Sequence, residues 1–182
     1  MSHYSLFEAI DTQHQYLGDA FLLHQEALLV QKPQLALTIF NAYQQYQVAH
    51  LTFENEHLLP ELEKIEDIRW PHTLYEHEHN KVEKMLAKSA SELEEGALII
   101  KEGAPSNTAY RRWVIELLDR QKQLKNVLEH HEQREEQGML NELDNALSQE
   151  TLSHLCEQLT AQTRSAREAI EALKPEWLKA LG

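Results

Sequence analysis

The chain has 182 residues, with 17 Lys plus Arg against 30 Asp plus Glu, so its formal net charge is −13 with histidine neutral. An apolar share of 42 % and a charged share of 26 % describe a globular chain, and the acidic balance argues against a nucleic-acid partner, which needs clustered cations. No apolar run approaches the roughly 20 residues that span a bilayer, no export signal is expected from the first residues, and the lone Cys156 suits a reducing cytoplasm.

Five Gly and five Pro against abundant Glu, Gln, Leu and Ala predict a nearly all-helical chain. The breakers set its corners. A first helix is expected over about Ser5 to Gln31, ended by Pro33, and a second from about Gln34 to Glu63, with Pro60 near its end. A connection from Lys64 to Pro71 leads to a third helix, His72 to about Glu95. Gly96, Gly103, Pro105, Ser106 and Asn107 fall in the next connection, with Ala97–Ile100 read as a last helical turn. The fourth and longest helix, Thr108 to Leu147, is expected to kink at Gly138. A fifth runs from Thr151 to Leu173 and stops at Lys174–Pro175, leaving a short tail with Trp177. The expected fold class is therefore all-α: an up-down-up-down four-helix bundle over residues 1–147, with an additional C-terminal helix over 148–182 packed across one side or end.

Each long helix carries one stripe at helical period. In the first, Phe7, Ile10, His14, Leu17, Phe21, His24 and Leu28 recur at alternating steps of three and four. The second has Ala36, Phe40, Tyr43, Gln47, His50, Glu54 and His57. The third has Tyr75, His79, Val82, Leu86 and Leu93, and the fourth Val114, Leu117, Gln121, Leu124, Leu128, His131 and Glu135. These inward faces are apolar except for histidines, glutamates and a few glutamines, and no Lys or Arg lies on them. A carboxylate on such a face is costly unless paired. A bound cation would compensate both glutamates, and neutral imidazoles would complete its shell.

Spacing and level select the ligands. His50–Glu54 and His131–Glu135 each place an imidazole and a carboxylate one turn apart on one face. With the first corner near Pro33, the antiparallel neighbour of His50 falls near residue 16, which favours His14. His24 would stand about 15 Å away along the axis and is read as a core histidine. On the third helix His79 shares a face with Tyr75, Val82 and Leu86, whereas His77 faces Lys81 and Lys84; His79 is preferred, with His77 the alternative. The metal ligands expected are thus His14, His50, Glu54, His79, His131 and Glu135. Four nitrogens and four bridging carboxylate oxygens exceed the usual six donors of one ion and suit two. A bridging oxo or hydroxo brings the count to about ten of twelve octahedral positions and leaves roughly two open. The thiolate-free donor set favours two Fe ions, then Mn or Zn.

These residues resemble the hemerythrin-like (HHE cation-binding) family. The resemblance rests on a lone His in Asp11-Thr-Gln-His14-Gln-Tyr-Leu17, His50-x-x-x-Glu54 running into Leu58-Leu59-Pro60, His79 early on the third helix in Glu76-His-Glu-His79-Asn-Lys-Val82, and His131-x-x-x-Glu135, over about residues 5 to 147. It implies a four-helix bundle holding a non-haem di-iron centre. The oxygen-carrying branch has His-x-x-x-His on helix three and an Asp five residues after the helix-four His; here Glu83 follows His79 and Glu136 replaces that Asp. The pattern is closer to stress-response, iron-handling and sensor members. Iron–sulfur-repair relatives carry an N-terminal cysteine-bearing segment that has no counterpart here.

The function expected is a cytoplasmic di-iron protein that binds or reacts with dioxygen, peroxide or nitric oxide. No substrate-recognition motif marks it as an enzyme, and the oligomeric state stays open, a homodimer among the options. Two alternatives compete. A ferritin-like di-metal centre would use Glu54–His57 and Glu76–His79, and a metal-free helical interaction module would let the same groups hydrogen-bond one another. Tyr43, Tyr75, Trp113 and Cys156 are read as core or packing residues, and His57 and His72 as facing solvent or a helix end.

Overall fold

The computed structural model describes residues 3–102 and 106–181, and all regular structure among them is helical. In chain order these are α1 Leu6–Leu29, α2 Pro33–Phe53, a π-helical turn Glu54–Leu58, α3 Leu59–Leu62, α4 His72–Glu102, α5 Asn107–Gln137, α6 Met139–Ala146 and α7 Gln149–Leu181.

Local chemistry sets the helix ends. Ser5 caps α1, its Oγ accepting the Glu8 N–H. Asp144 of α6 adds a second cap, accepting the N–H groups of Leu6 and Phe7 and the Ser5 hydroxyl. A carboxylate at that position also meets the positive end of the helix dipole. Gln31, at φ 61°, ends α1, and the Lys32 N–H closes back on the Ala27 carbonyl at 2.8 Å. Pro33 therefore starts α2 rather than stopping α1. Ser106 and Ser148 cap α5 and α7 in the same way as Ser5.

Three boundaries differ from the sequence expectation. First, α4 continues past Glu95 to Glu102, so Gly96 lies inside a helix; a Cβ there would overlap the Trp113 ring, and the glycine is a packing notch rather than a breaker. Second, the expected kink at Gly138 is a full break between α5 and α6. A Cβ at Gly138 would meet Trp70 at 2.8 Å and the Tyr75 hydroxyl at 3.1 Å. Third, α7 passes through Pro175 instead of stopping there. Proline deprives the Glu171 carbonyl of one partner, and both residues are exposed, where water serves in its place. Gly103 and Pro105 of the expected connection, and the Trp177 side chain, lie outside the described residues.

α1 packs on α2 and α5, α4 packs on α2 and α5, and α7 packs on α1 and α2. Neighbours among α1, α2, α4 and α5 run antiparallel, whereas α7 runs parallel to α1, with Gln13 meeting Thr163 and Tyr16 meeting Glu171. The Tyr110 hydroxyl at the start of α5 donates to the Leu28 carbonyl at the end of α1. Gln34 at the start of α2 donates to the Ala97 carbonyl late in α4. Two apolar clusters fill the interior. One includes Leu17, Tyr46, Val82 and Leu128; the other includes Ile10, Phe53, Tyr75 and Met139, with Leu152, Leu155 and Leu159 of α7. Each buried leucine among them contributes about 1.5–3 kcal/mol. Between the clusters, one turn from each on every helix, lies a polar layer. Among the described residues no helix is long and apolar enough to cross a membrane.

Candidate metal centre

That layer contains all six residues selected from the sequence. His14 is 5 % exposed, His79 and His131 1 %, and His50, Glu54 and Glu135 are fully buried. Each helix contributes at the level where its apolar stripe passes from one cluster to the other: His14 between Ile10 and Leu17, His79 between Tyr75 and Val82, and His131 and Glu135 between Leu128 and Met139. Among the described residues no Lys or Arg is buried.

The donors form two groups that share both carboxylates. His14, His50, Glu54 and Glu135 make one, and Glu54, His79, His131 and Glu135 the other, with the donor atoms of each within 4.8 Å of one another. Glu54 turns Oε1 to His50 Nε2 at 3.1 Å and Oε2 to His79 Nε2 at 3.4 Å. Glu135 turns Oε2 to His14 Nε2 at 3.3 Å and Oε1 to His131 Nε2 at 2.8 Å. Each carboxylate therefore offers one oxygen to each group. Donors held about 2.1 Å from one cation at right angles stand about 3 Å apart, which is the spacing found.

The outer edges of three imidazoles are engaged. Nδ1 of His50 faces Gln13 Oε1 at 3.0 Å, Nδ1 of His79 faces Asn55 Oδ1 at 2.7 Å, and Nδ1 of His131 faces Glu78 Oε2 at 3.2 Å. These acceptors place the ring proton on Nδ1 and leave an Nε2 lone pair pointing inward. His14 and His50 then confront each other Nε2 to Nε2 at 3.1 Å. Both oxygens of Glu54, both of Glu135, and Nε2 of His79 and His131 are buried without a hydrogen-bond partner. Lone pairs converging from six side chains, with no donor between them, fit the needs of bound cations.

Electrostatics agrees in sign. Burial pulls the His131 imidazolium down, but the Glu135 carboxylate beside it more than reverses this and pushes the pKa up to about 9. His14 is likewise raised, burial being outweighed by its contact with Glu135. Glu135 is held well below the usual carboxylate range: burial opposes its charge, and the neighbouring imidazoles, His131 foremost, outweigh that. Without a metal, the carboxylates draw protons into the layer; a cation competes for the same place.

A family model described as Hemerythrin HHE cation binding domain matches residues 5–120. The chain belongs to that family. The matched span includes His14, His50, Glu54 and His79, while His131 and Glu135 lie beyond it and join the others only through the fold. No match was found among the curated proteins or among the solved structures.

The remaining candidates separate cleanly. His24 is fully buried, its Nε2 2.9 Å from Gln121 Oε1 and its ring against Phe21 and Phe40, as a core histidine should be. His77 is exposed and takes no part. The ferritin-like set does not assemble, since Glu76 is exposed and the His57 ring packs on Phe53 instead of turning inward. Tyr43 and Tyr75 are buried, as expected, but Cys156 is only half-buried. Sequence reasoning missed Gln13, Asn55 and Glu78, which lie off the apolar stripes, and the half-buried Glu132, whose desolvation lifts its carboxyl to about 7.

Proposed function

We propose that the chain is an up-down-up-down bundle of α1, α2, α4 and α5, residues 1–147 forming the family domain and 148–182 an added helix, and that it holds two metal ions at His14, His50, Glu54, His79, His131 and Glu135. The antiparallel contacts around the ring of helices support the bundle. The observation that carries the metal reading is the pair of shared carboxylates, each with one oxygen toward each pair of imidazoles and none of the four oxygens hydrogen-bonded. Iron is the first expectation for this nitrogen and oxygen set, with manganese or zinc next.

Bound iron would supply one-electron redox chemistry and open coordination positions for dioxygen, peroxide or nitric oxide. The protein's own part is to fix the donors, to keep the imidazole lone pairs inward through Gln13, Asn55 and Glu78, and to surround the layer with apolar residues that exclude bulk water. Stress response, sensing and iron handling, in the cytoplasm, are the roles this chemistry serves.

Reconstitution with ferrous iron without oxygen, followed by metal analysis and visible spectra after air is admitted, tests the reading. Two irons per chain are expected, both lost in Glu54→Ala and in Glu135→Ala because each carboxylate serves both positions. Less than one transition-metal ion per chain would refute it. The rival occupant is the proton, favoured by the raised pKa of His131; a cluster filled by protons would leave thermal stability indifferent to chelators.

A further inference from the structure

One hydrogen-bonded path leaves the metal layer and enters α7. Gln13, immediately before His14 in sequence, is buried. Its Nε2 donates to Thr163 Oγ1 at 3.2 Å. The Thr163 hydroxyl spends its own proton on the Leu159 carbonyl at 2.8 Å, one turn back in α7, so toward Gln13 its oxygen can only accept. The amide of Gln13 is thereby oriented, nitrogen to α7 and oxygen to α2. That oxygen faces His50 Nδ1 at 3.0 Å. A carbonyl oxygen cannot donate, so His50 carries its proton on Nδ1 and presents Nε2 as a lone pair. Gln13 is 8 % exposed, Thr163 2 % and His50 0 %, so water has little access to stand in for any of them.

From this we infer that α7 sets the metal affinity of the centre, Thr163 acting through Gln13 as a positioning residue for His50. The inference rests on the proposed metal centre and deepens it. His79 and His131 are oriented by Asn55 and Glu78, which belong to the helical ring itself; His50 is oriented by Gln13 of α1, whose amide is in turn held from outside the ring by Thr163 of α7. Thr163 also lies beyond the matched family span of residues 5–120. Remove the hydroxyl and the Gln13 amide is free to rotate by half a turn, turning an N–H toward His50 Nδ1. The ring proton is then driven to Nε2, where it blocks the metal. A helix added to the bundle thus governs one imidazole of the site, and any partner that lifts α7 would loosen the adjacent ion.

The test compares full-length wild type, Thr163→Val and Thr163→Ser by cobalt(II) titration, read by visible absorption and by competition with a chelator. Thr163→Val keeps the shape and removes the hydroxyl; it should weaken binding of one ion about 10–100-fold. Thr163→Ser restores the hydroxyl and should return affinity to within about threefold of wild type. Gln13→Met breaks the same path from the other end and should reproduce the Val loss if the Val variant fails to fold. Wild-type affinity in either Thr163→Val or Gln13→Met would overturn the inference, as would equal losses in Val and Ser, which mark a packing role. If wild type itself takes up no metal, the metal centre is at fault, and the inference falls with it.

Discussion

Asn55 and His79 meet across the gap between the π-helical turn and α4, Asn55 Oδ1 accepting from His79 Nδ1 at 2.7 Å. The acceptor stands next in sequence to Glu54, whose Oε2 faces the other nitrogen of the same ring. Two successive residues of one helix turn thus grip opposite sides of one imidazole. The turn is widened there, the Leu59 N–H bonding to the Glu54 carbonyl five residues back. Such widenings concentrate at functional sites. Asn55→Ala should lower metal affinity about 10–100-fold, and Asn55→Asp, which keeps an acceptor, should recover most of it. Chelator competition measures both. His77→Ala, on the exposed side of α4, should change nothing.

Acid should unfold the protein partly through His24. Burial among Phe21, Phe40 and Gln121 lowers its pKa from 6.5 to about 4. The folded chain refuses a proton that the unfolded chain accepts, so His24 contributes its full stability above about pH 6.5 and loses it as pH falls toward 4. The loss amounts to about 3 kcal/mol at the bottom of that window. Unfolding by denaturant at pH 7 and pH 5 should show a smaller decrease for His24→Gln than for wild type.

Asp144 joins the end of the helical ring to its beginning by capping α1 from α6. Asp144→Ala should lower stability by about 1–2 kcal/mol. Asp144→Asn keeps the acceptor without the charge and should fall between the two. Thermal unfolding at low and high salt separates the capping hydrogen bonds from the dipole contribution, only the second being screened.

Gly138 has room for no side chain, with Trp70 and the Tyr75 hydroxyl crowding the place a β-carbon would take. That hydroxyl also accepts the Met139 N–H that starts α6. Gly138→Ala should cost about 1–3 kcal/mol. Adding Trp70→Leu should recover part of the loss in a double-mutant cycle, since the two groups compete for one space.

The six candidate ligands could be selected from the sequence, and lie together in one buried layer, because burial enforces periodicity. A His or Glu at an apolar-stripe position must face inward, and levels along antiparallel helices follow from a constant rise, which is why His14 was separable from His24. Gln13, Asn55 and Glu78 gave no such signal, because a residue that grips an imidazole from its outer edge stands off the stripe, where period alone does not separate the buried Gln13 from exposed positions such as Asn55. Gly96 and Gly138 misled in different degrees for one reason. Glycine signals a turn and close approach of a neighbour alike, and the neighbours, Trp113 and Trp70, are distant in sequence. Pro175 misled because an exposed helix survives the loss of one hydrogen bond.

The widened turn at Glu54–Leu58 makes that stretch unequally sensitive to changes in length. It contains one residue more than a regular coil would use to climb the same distance. Omitting one of residues 55 to 57 would restore ordinary pitch and keep Leu58, Leu59 and Leu62 in the apolar cluster they share with Phe53. Inserting a residue there would instead swing those leucines about 100° around the axis, out of that cluster. His50 and Glu54, upstream, would keep their places in either case. The coil can shed its surplus residue, whereas a second one would unseat everything that follows.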